Sequence, residues 1–277
     1  MLVHPNMDPV AIDLGFVQIH WYGLMYLAAF AFAYWICRFR AKQGRAPFRP
    51  DQVDDIVFFV AMGTIIGGRL GYMLFYNFGT LVADPVSLFR IGSGGMSFHG
   101  GLIGVMLGLG YWARREKVAI GDIFDFAALA APVGMGFGRL GNFIGQELWG
   151  RPTDVPWAMV FPRDPSGLAR HPSQLYQAFL EGIVLFAVIY WFTSTTRPRW
   201  AAAGLFAILY GIFRFLVEFV REPDAHIGFD LWGWMSRGQL LSIPMIMIGI
   251  LVMMIAYYRN VQPVFVDPTP PKTDKKA

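Results

Sequence analysis

Residues 239–258, Q-L-L-S-I-P-M-I-M-I-G-I-L-V-M-M-I-A-Y-Y, run for twenty positions without a charged side chain. About twenty such residues are what an α-helix needs to cross the hydrocarbon core of a bilayer. Comparable apolar stretches lie near 17–37, 56–78, 98–113, 122–138, 173–192 and 203–220. The composition agrees: 55% of the 277 residues are hydrophobic and 15% are charged, whereas ordinary soluble domains carry about 25% charged residues. A soluble fold of this length could not hide so much apolar surface, but lipid accepts it. The sequence therefore predicts an all-α integral membrane protein of seven transmembrane helices, forming one membrane domain over 1–260. The proline- and lysine-rich segment 261–277 is expected to be a disordered tail.

Orientation follows from the loops. Segments 38–54, 114–121, 193–202 and 259–277 hold fourteen Lys and Arg residues, and the alternate set (1–16, 79–97, 139–172 and 221–238) holds seven. Because cytoplasmic loops collect cations, the N-terminus is expected outside (periplasmic) and the C-terminus inside (cytoplasmic). An odd number of spans satisfies both. The net charge of +4 is thereby read as a topology signal. No basic patch interleaves with exposed aromatics, so nucleic acid is not an expected partner. Residues 1–16 lack a basic n-region, so no cleavable signal peptide is expected. The single cysteine, Cys37, leaves no disulfide framework, and no set of residues argues for a metal or another cofactor.

Glycines recur at four-residue spacing in two spans: Gly63, Gly67 and Gly71, then Gly100, Gly104 and Gly108. Small-xxx-small stripes let helix backbones approach closely in lipid, so close helix packing is the favoured reading.

Ionisable residues at membrane depth are costly and mark candidate sites. On the expected topology they gather on one side. His20 and Tyr22 begin the first span, and His99 opens the third. Arg139, Asn142 and Glu147 follow the fourth, His171 precedes the fifth, and Glu218, Arg221 and Glu222 close the sixth. Helix N-termini that face outward are ready anion sites, and Gly100-Gly101 lets a ligand approach the backbone. A histidine can accept a proton, and arginines can hold a phosphate bidentately. Such a set suits chemistry on a phospholipid head group. Arg69, Glu218 and His20 are further substrate-binding candidates, although Arg69 and Arg214 are also natural ion-pair partners for Glu218. Position alone would equally allow Arg139 and Arg221 to snorkel.

The runs H-W-Y-G-L-M-Y (20–26), G-G-R-L-G-Y (67–72), G-G-M-S-F-H-G-G-L-I-G (94–104) and G-R-L-G-N-F-I-G-Q-E-L-W-G (138–150) occur in that order. They are followed by R-H-P-S-Q-L-Y (170–176), V-E-F-V-R-E-P-D-A (217–225) and G-Q-L-L-S-I-P-M (238–245). From about residue 5 to 258 this pattern resembles the prolipoprotein diacylglyceryl transferases. The resemblance implies transfer of a diacylglyceryl group from phosphatidylglycerol to the lipobox cysteine of a lipoprotein signal peptide, by a monomer in the bacterial inner membrane. It also implies functional roles for Tyr22, His99, Arg139, Asn142, Glu147, Gly150 and Arg221. His99 would be the base, with help from Tyr22, and the two arginines would hold the phosphate. Asn142 and Glu147 would orient glycerol hydroxyls or an arginine. The family signature has asparagine where this chain has Gly145, and both residue types tolerate a left-handed turn.

Two other classes fit less well. A lipid transporter would call for an inverted repeat and a matching polar cluster on the inner side, and neither is visible. An intramembrane protease would call for a nucleophile elbow or paired aspartates.

Overall fold

The computed structural model describes residues 2–15, 17–90, 94–223, 229–231 and 233–269. It is mostly helical. Among the described residues nine α-helices follow one another: α1 (Trp21–Lys42), α2 (Val53–Phe75), α3 (Phe78–Ala83), α4 (Phe98–Arg115), α5 (Ile120–Gly145), α6 (Ser173–Gln177), α7 (Leu185–Phe192), α8 (Ala201–Val217) and α9 (Arg237–Arg259). A π-helical stretch, Ala178–Val184, joins α6 to α7. Among the described residues, five helical stretches are long and apolar enough to cross a membrane: Trp21–Lys42, Pro50–Phe75, Ile120–Gly145, Ser173–Phe192 and Arg237–Arg259. The chain is a multi-pass helical membrane protein. The other two expected spans fall on α4, which carries His99, Arg114 and Arg115, and on α8, which is 17 residues long. The fourth expected span, 122–138, is the shortest reading of its helix: α5 continues to Gly145 and so carries Arg139 and Asn142 inside it.

Short strands decorate the loops. β1 (Leu2–Val3), β4 (Met159–Val160) and β5 (Ala169–Arg170) make one three-stranded sheet, and β2 (Val10–Asp13) pairs antiparallel with β3 (Gln18–His20). A third pair joins β6 (Phe229–Leu231) to β7 (Met235–Ser236).

The chain forms two compact units. One comprises residues 1–36 and 125–263, the other 37–124 and 264–277. In the second unit, α2 and α4 pack through the two glycine stripes. A Cβ on Gly104 would stand 1.9 Å from the Gly63 carbonyl oxygen, and one on Gly67 would stand 2.3 Å from that of Gly100. Only glycine permits such an approach, and the stripes are a helix seam as expected. Residue 264 donates its N–H to Asp122 and residue 266 to the Ala46 carbonyl. Part of the expected tail therefore runs along the second unit, and 270–277 lies outside the described residues. Cys37 is buried.

In the first unit, α8 and α9 pack across Gly204, Gly211 and Gly249. Asp125 accepts the N–H groups of Trp200 and Ala203, capping the start of α8 where the orphan donors and helix dipole favour an acid. At the start of α9, Ser236 and Gln239 bond reciprocally, satisfying the exposed N–H groups there.

Candidate active site

Within the first unit, the ends of five elements bring charged side chains together. Gly141 in α5 faces α1 so closely that a Cβ would lie 2.7 Å from the Tyr22 ring. Tyr22 thereby rests on the last turns of α5. Its hydroxyl is 3.5 Å from that of Tyr26, and it senses the charges of Glu147 and Arg139. Arg139 Nε reaches Glu181 in the π-helical stretch at 3.4 Å. Tyr210 of α8 stands close enough to Glu181, Arg214 and Arg139 for their charges to bear on its hydroxyl. Arg214 lies 2.6 Å from Glu218 Oε1, and Arg221 reaches the same oxygen at 3.3 Å. Ser236 donates its hydroxyl to the other Glu218 oxygen. The result is a gathering of three arginines, two buried acids and a tyrosine.

Local structure explains why these groups converge. Helix α5 ends at Gly145, and Gln146 and Leu148 follow with φ of 55° and 56°. Left-handed backbone costs a non-glycine residue about 1–2 kcal/mol, so something must hold it. The buried Gln146 side chain does so, donating to Asn6 and accepting from the Arg163 N–H. The turn sends the Glu147 N–H back to the Asn142 carbonyl at 2.9 Å, and the Asn142 amide donates to the Glu147 carboxylate at 3.4 Å. Gln174 fixes the Glu147 carbonyl and Ser173 that of Leu148.

Gly150 plays a backbone part. A Cβ there would stand 2.5 Å from the Val220 carbonyl and 2.6 Å from His171. Without it, strand-like segment 149–151 threads between residues 171 and 220, and Gly150 bridges Arg221. Arg151 then donates to the carbonyls of Arg221 and Glu218. The resemblance implies that Gly150 touches substrate, but its observed work is to set the position of Arg221.

The loop between α5 and α6 has its own anchor. Arg170 is buried and bonds Asp164, the Gly150 carbonyl, Glu222 and Ser166. Nearby, Trp157 donates to the Tyr176 hydroxyl, which is 3.2 Å from His171 Nδ1. Burial holds His171 below the ordinary histidine value.

The other candidates belong to other elements. His20 ends β3 opposite Val10, exposed, with no hydrogen bond to the cluster among the described residues. His99, Gly100, Gly101 and Arg69 belong to the second unit. His99 is exposed on the first turn of α4, edge-on to Phe98. Two expectations there are corrected. The N–H of Gly100 goes to the Ser97 hydroxyl and that of Gly101 to the Ser97 carbonyl, so neither is a vacant anion donor. Gly100 serves the α2–α4 seam instead. Arg69 does not pair with Glu218: its guanidinium donates to the carbonyls of Ser87, Leu88, Gly94 and Gly95. Gly94 and Gly95 have φ of 78° and 80°, so Arg69 clamps the glycine turn leading into α4. Arg214, by contrast, pairs with Glu218 as expected. The motif residues 224 and 225 lie outside the described residues.

Sequence reasoning missed Glu181 and Tyr210. Glu181 is an acid alone inside an apolar span, a signal that was available. Tyr210 sits among apolar residues in α8 and carries no such mark.

A multi-pass helical protein that gathers arginines and acids where helices end has the equipment of a membrane enzyme acting on an anionic group. Residues 9–255 match the family model described as prolipoprotein diacylglyceryl transferase. Among relatives, the chain is 57% identical over 267 residues to the phosphatidylglycerol–prolipoprotein diacylglyceryl transferase of Teredinibacter turnerae, covering 93% of each chain. It is 54% identical to that of a Marinomonas species (90% of this chain, 93% of the relative) and 52% identical to that of Ectopseudomonas mendocina (94% and 98%). The chain belongs to the prolipoprotein diacylglyceryl transferase family.

Proposed function

We propose that this protein transfers the diacylglyceryl group of phosphatidylglycerol to the lipobox cysteine thiol of a prolipoprotein, the first step of lipoprotein maturation. A carbon–sulfur bond forms at the glycerol carbon, the carbon–oxygen bond to phosphate breaks, and glycerol phosphate leaves. The thiol gives up its proton to a base. The observation that supports this reading best is the gathering, in one unit, of the Arg139–Glu181 and Arg214–Glu218–Arg221 ion pairs with Tyr22, Asn142 and Glu147.

The phosphate ester needs its growing negative charge held as it departs, and fixed guanidinium groups suit that task. Arg139 and Arg221 are assigned this role, each tied on one side to a buried acid. Asn142 and Glu147, already bonded to each other, offer an amide and a carboxylate to the glycerol hydroxyls. A thiol is a weak nucleophile until deprotonated. His99 is assigned as the proton acceptor on its exposure at the head of α4 and on the family resemblance, with Tyr22 assisting. Both substrates are lipid-embedded, so they enter sideways between helices.

The seven-span topology belongs to the same proposal, with the N-terminus periplasmic and the C-terminus cytoplasmic in the bacterial inner membrane. At a rise of 1.5 Å per residue, an 18-residue helix such as α4 reaches ~27 Å, close to the roughly 30 Å hydrocarbon core. The site would then face the periplasm, and the protein is expected to act as a monomer. The test is purified protein carrying His99→Gln or Arg221→Ala. Each variant should lose transfer from phosphatidylglycerol to a cysteine peptide while keeping its fold. Turnover within twofold of the parent protein in both variants would overturn the assignment.

A further inference from the structure

We propose that Glu181 is a positioning residue for the transfer: it holds the Arg139 guanidinium in the orientation in which it meets the phosphate. The inference rests on the proposed function and adds a residue that the motifs do not mark. Glu181 is fully buried and, among the described residues, forms its ion pair with Arg139, whose own side chain is about one-fifth exposed. The buried partner therefore fixes the more accessible one. Glu181 Oε1 has no hydrogen-bond partner among the described residues. A buried carboxylate oxygen left unsatisfied is costly, and a purely structural pair would be expected to use both oxygens.

The backbone around Glu181 is shaped for this contact. It lies in the π-helical stretch Ala178–Val184, a wide turn of a kind often found at functional sites. The next residue, Gly182, meets Gly136 of α5 so closely that a Cβ on Gly182 would lie 2.7 Å from the Gly136 Cα. Gly136 is three residues before Arg139, so the glycine contact brings Glu181 and Arg139 onto facing turns. Tyr210 of α8 lies near both side chains. Arg139 is thus held on one side by a buried acid, which leaves the rest of its guanidinium to face a ligand.

The experiment compares Glu181→Gln, Arg139→Lys and the double variant with the parent protein, using phosphatidylglycerol vesicles and a cysteine-bearing lipobox peptide. Gln keeps the shape and removes the charge. The expected result for Glu181→Gln is a fall in kcat of about tenfold to a hundredfold, the range for a misplaced group that acts in the transition state. KM for phosphatidylglycerol and the melting temperature in detergent should stay close to those of the parent. The double variant should be no slower than Arg139→Lys alone, because residues acting through one another are not additive. A kcat for Glu181→Gln within twofold of the parent, or losses that multiply in the double variant, would overturn the inference. If Glu181→Gln does not fold, Glu181→Asp, which keeps the charge and shortens the reach, carries the same two outcomes. A parent protein with no transfer activity would instead overturn the proposed function, so the two failures are distinguishable.

Discussion

Arg214 and Arg221 place guanidinium nitrogens on the same oxygen of Glu218, at 2.6 and 3.3 Å. One acid thus holds two arginines, and its second oxygen is taken by Ser236 at the start of α9. The arrangement joins the end of α8 to the head of α9 and fixes where Arg221 stands. Gly238 leaves the room it needs, since a Cβ there would stand 2.6 Å from the Glu218 carboxyl carbon.

Replacing Glu218 by Ala should therefore unseat both arginines. Breaking a buried pair by removing one partner costs about 3–5 kcal/mol, which should appear as a marked fall in melting temperature in detergent. Glu218→Gln keeps an acceptor for Ser236 in a similar shape, so it should melt higher than the Ala variant. Equal melting of the parent and both variants would show that the network carries no stability.

The α2–α4 seam makes a sharper packing prediction. Gly104→Ala places a methyl against the Gly63 carbonyl and should destabilise the protein by about 1–3 kcal/mol, the usual cost of overpacking. Gly110→Ala, on the same helix, meets nothing within 4 Å. Alanine is a better helix former than glycine, so this variant should be neutral or slightly stabilised. The pair is compared by thermal unfolding in one detergent.

The buried bonds of Arg170 to Asp164, Gly150, Glu222 and Ser166 make it the anchor of the loop between α5 and α6. Arg170→Ala should loosen that loop and lower transfer by displacing the segment that bears Arg221. The loop should also be acid-sensitive. Burial alone would raise the Asp164 carboxyl, but hydrogen bonds from Arg170 and Ser166 outweigh it and set the group below its ordinary value of 3.8. A depressed folded-state value gives stability that is complete above the unfolded value and lost as the pH falls through the folded one. Hydrogen-exchange protection of the Gly150 and His171 amides should thus stay level from neutral pH down to about 4 and drop below 3.8.

Gly145→Asn tests the one departure from the family signature. Gly145 is the last residue of α5 and does not have the left-handed backbone that both residue types tolerate. The left-handed residue is its neighbour Gln146. A Cβ on Gly145 would make ordinary contacts of 3.6 and 3.7 Å with the Glu147 side chain. The variant should fold normally, with its amide beside the Glu147 carboxylate, and keep transfer activity. Loss of folding in the variant would contradict the backbone assignment.

Much of this was legible in the chain. The glycine stripes announced a seam because four-residue spacing survives in a helix regardless of its neighbours. Arg139, Asn142 and Glu147 could be grouped because the first two sit on the last turns of one helix and the third directly follows it. Pairings between distant segments could not be read this way. Nothing local tells Arg69 to bind loop carbonyls while Arg214 binds Glu218, since both are arginines within apolar runs. Gly150 and Gly100 looked like ligand positions, but the absence of a side chain serves backbone approach in both. Glu181 was readable as a lone acid, but its partner depends on a π-helical turn that no periodicity encodes.

The central claim is transfer to a thiol. Purified protein is mixed with phosphatidylglycerol and two lipobox peptides, one with Cys and one with Ser at the acceptor position, and the peptides are weighed by mass spectrometry. A gain equal to one diacylglyceryl group on the Cys peptide alone, with glycerol phosphate released, is the predicted result. No gain on either peptide, or an equal gain on both, would contradict the account.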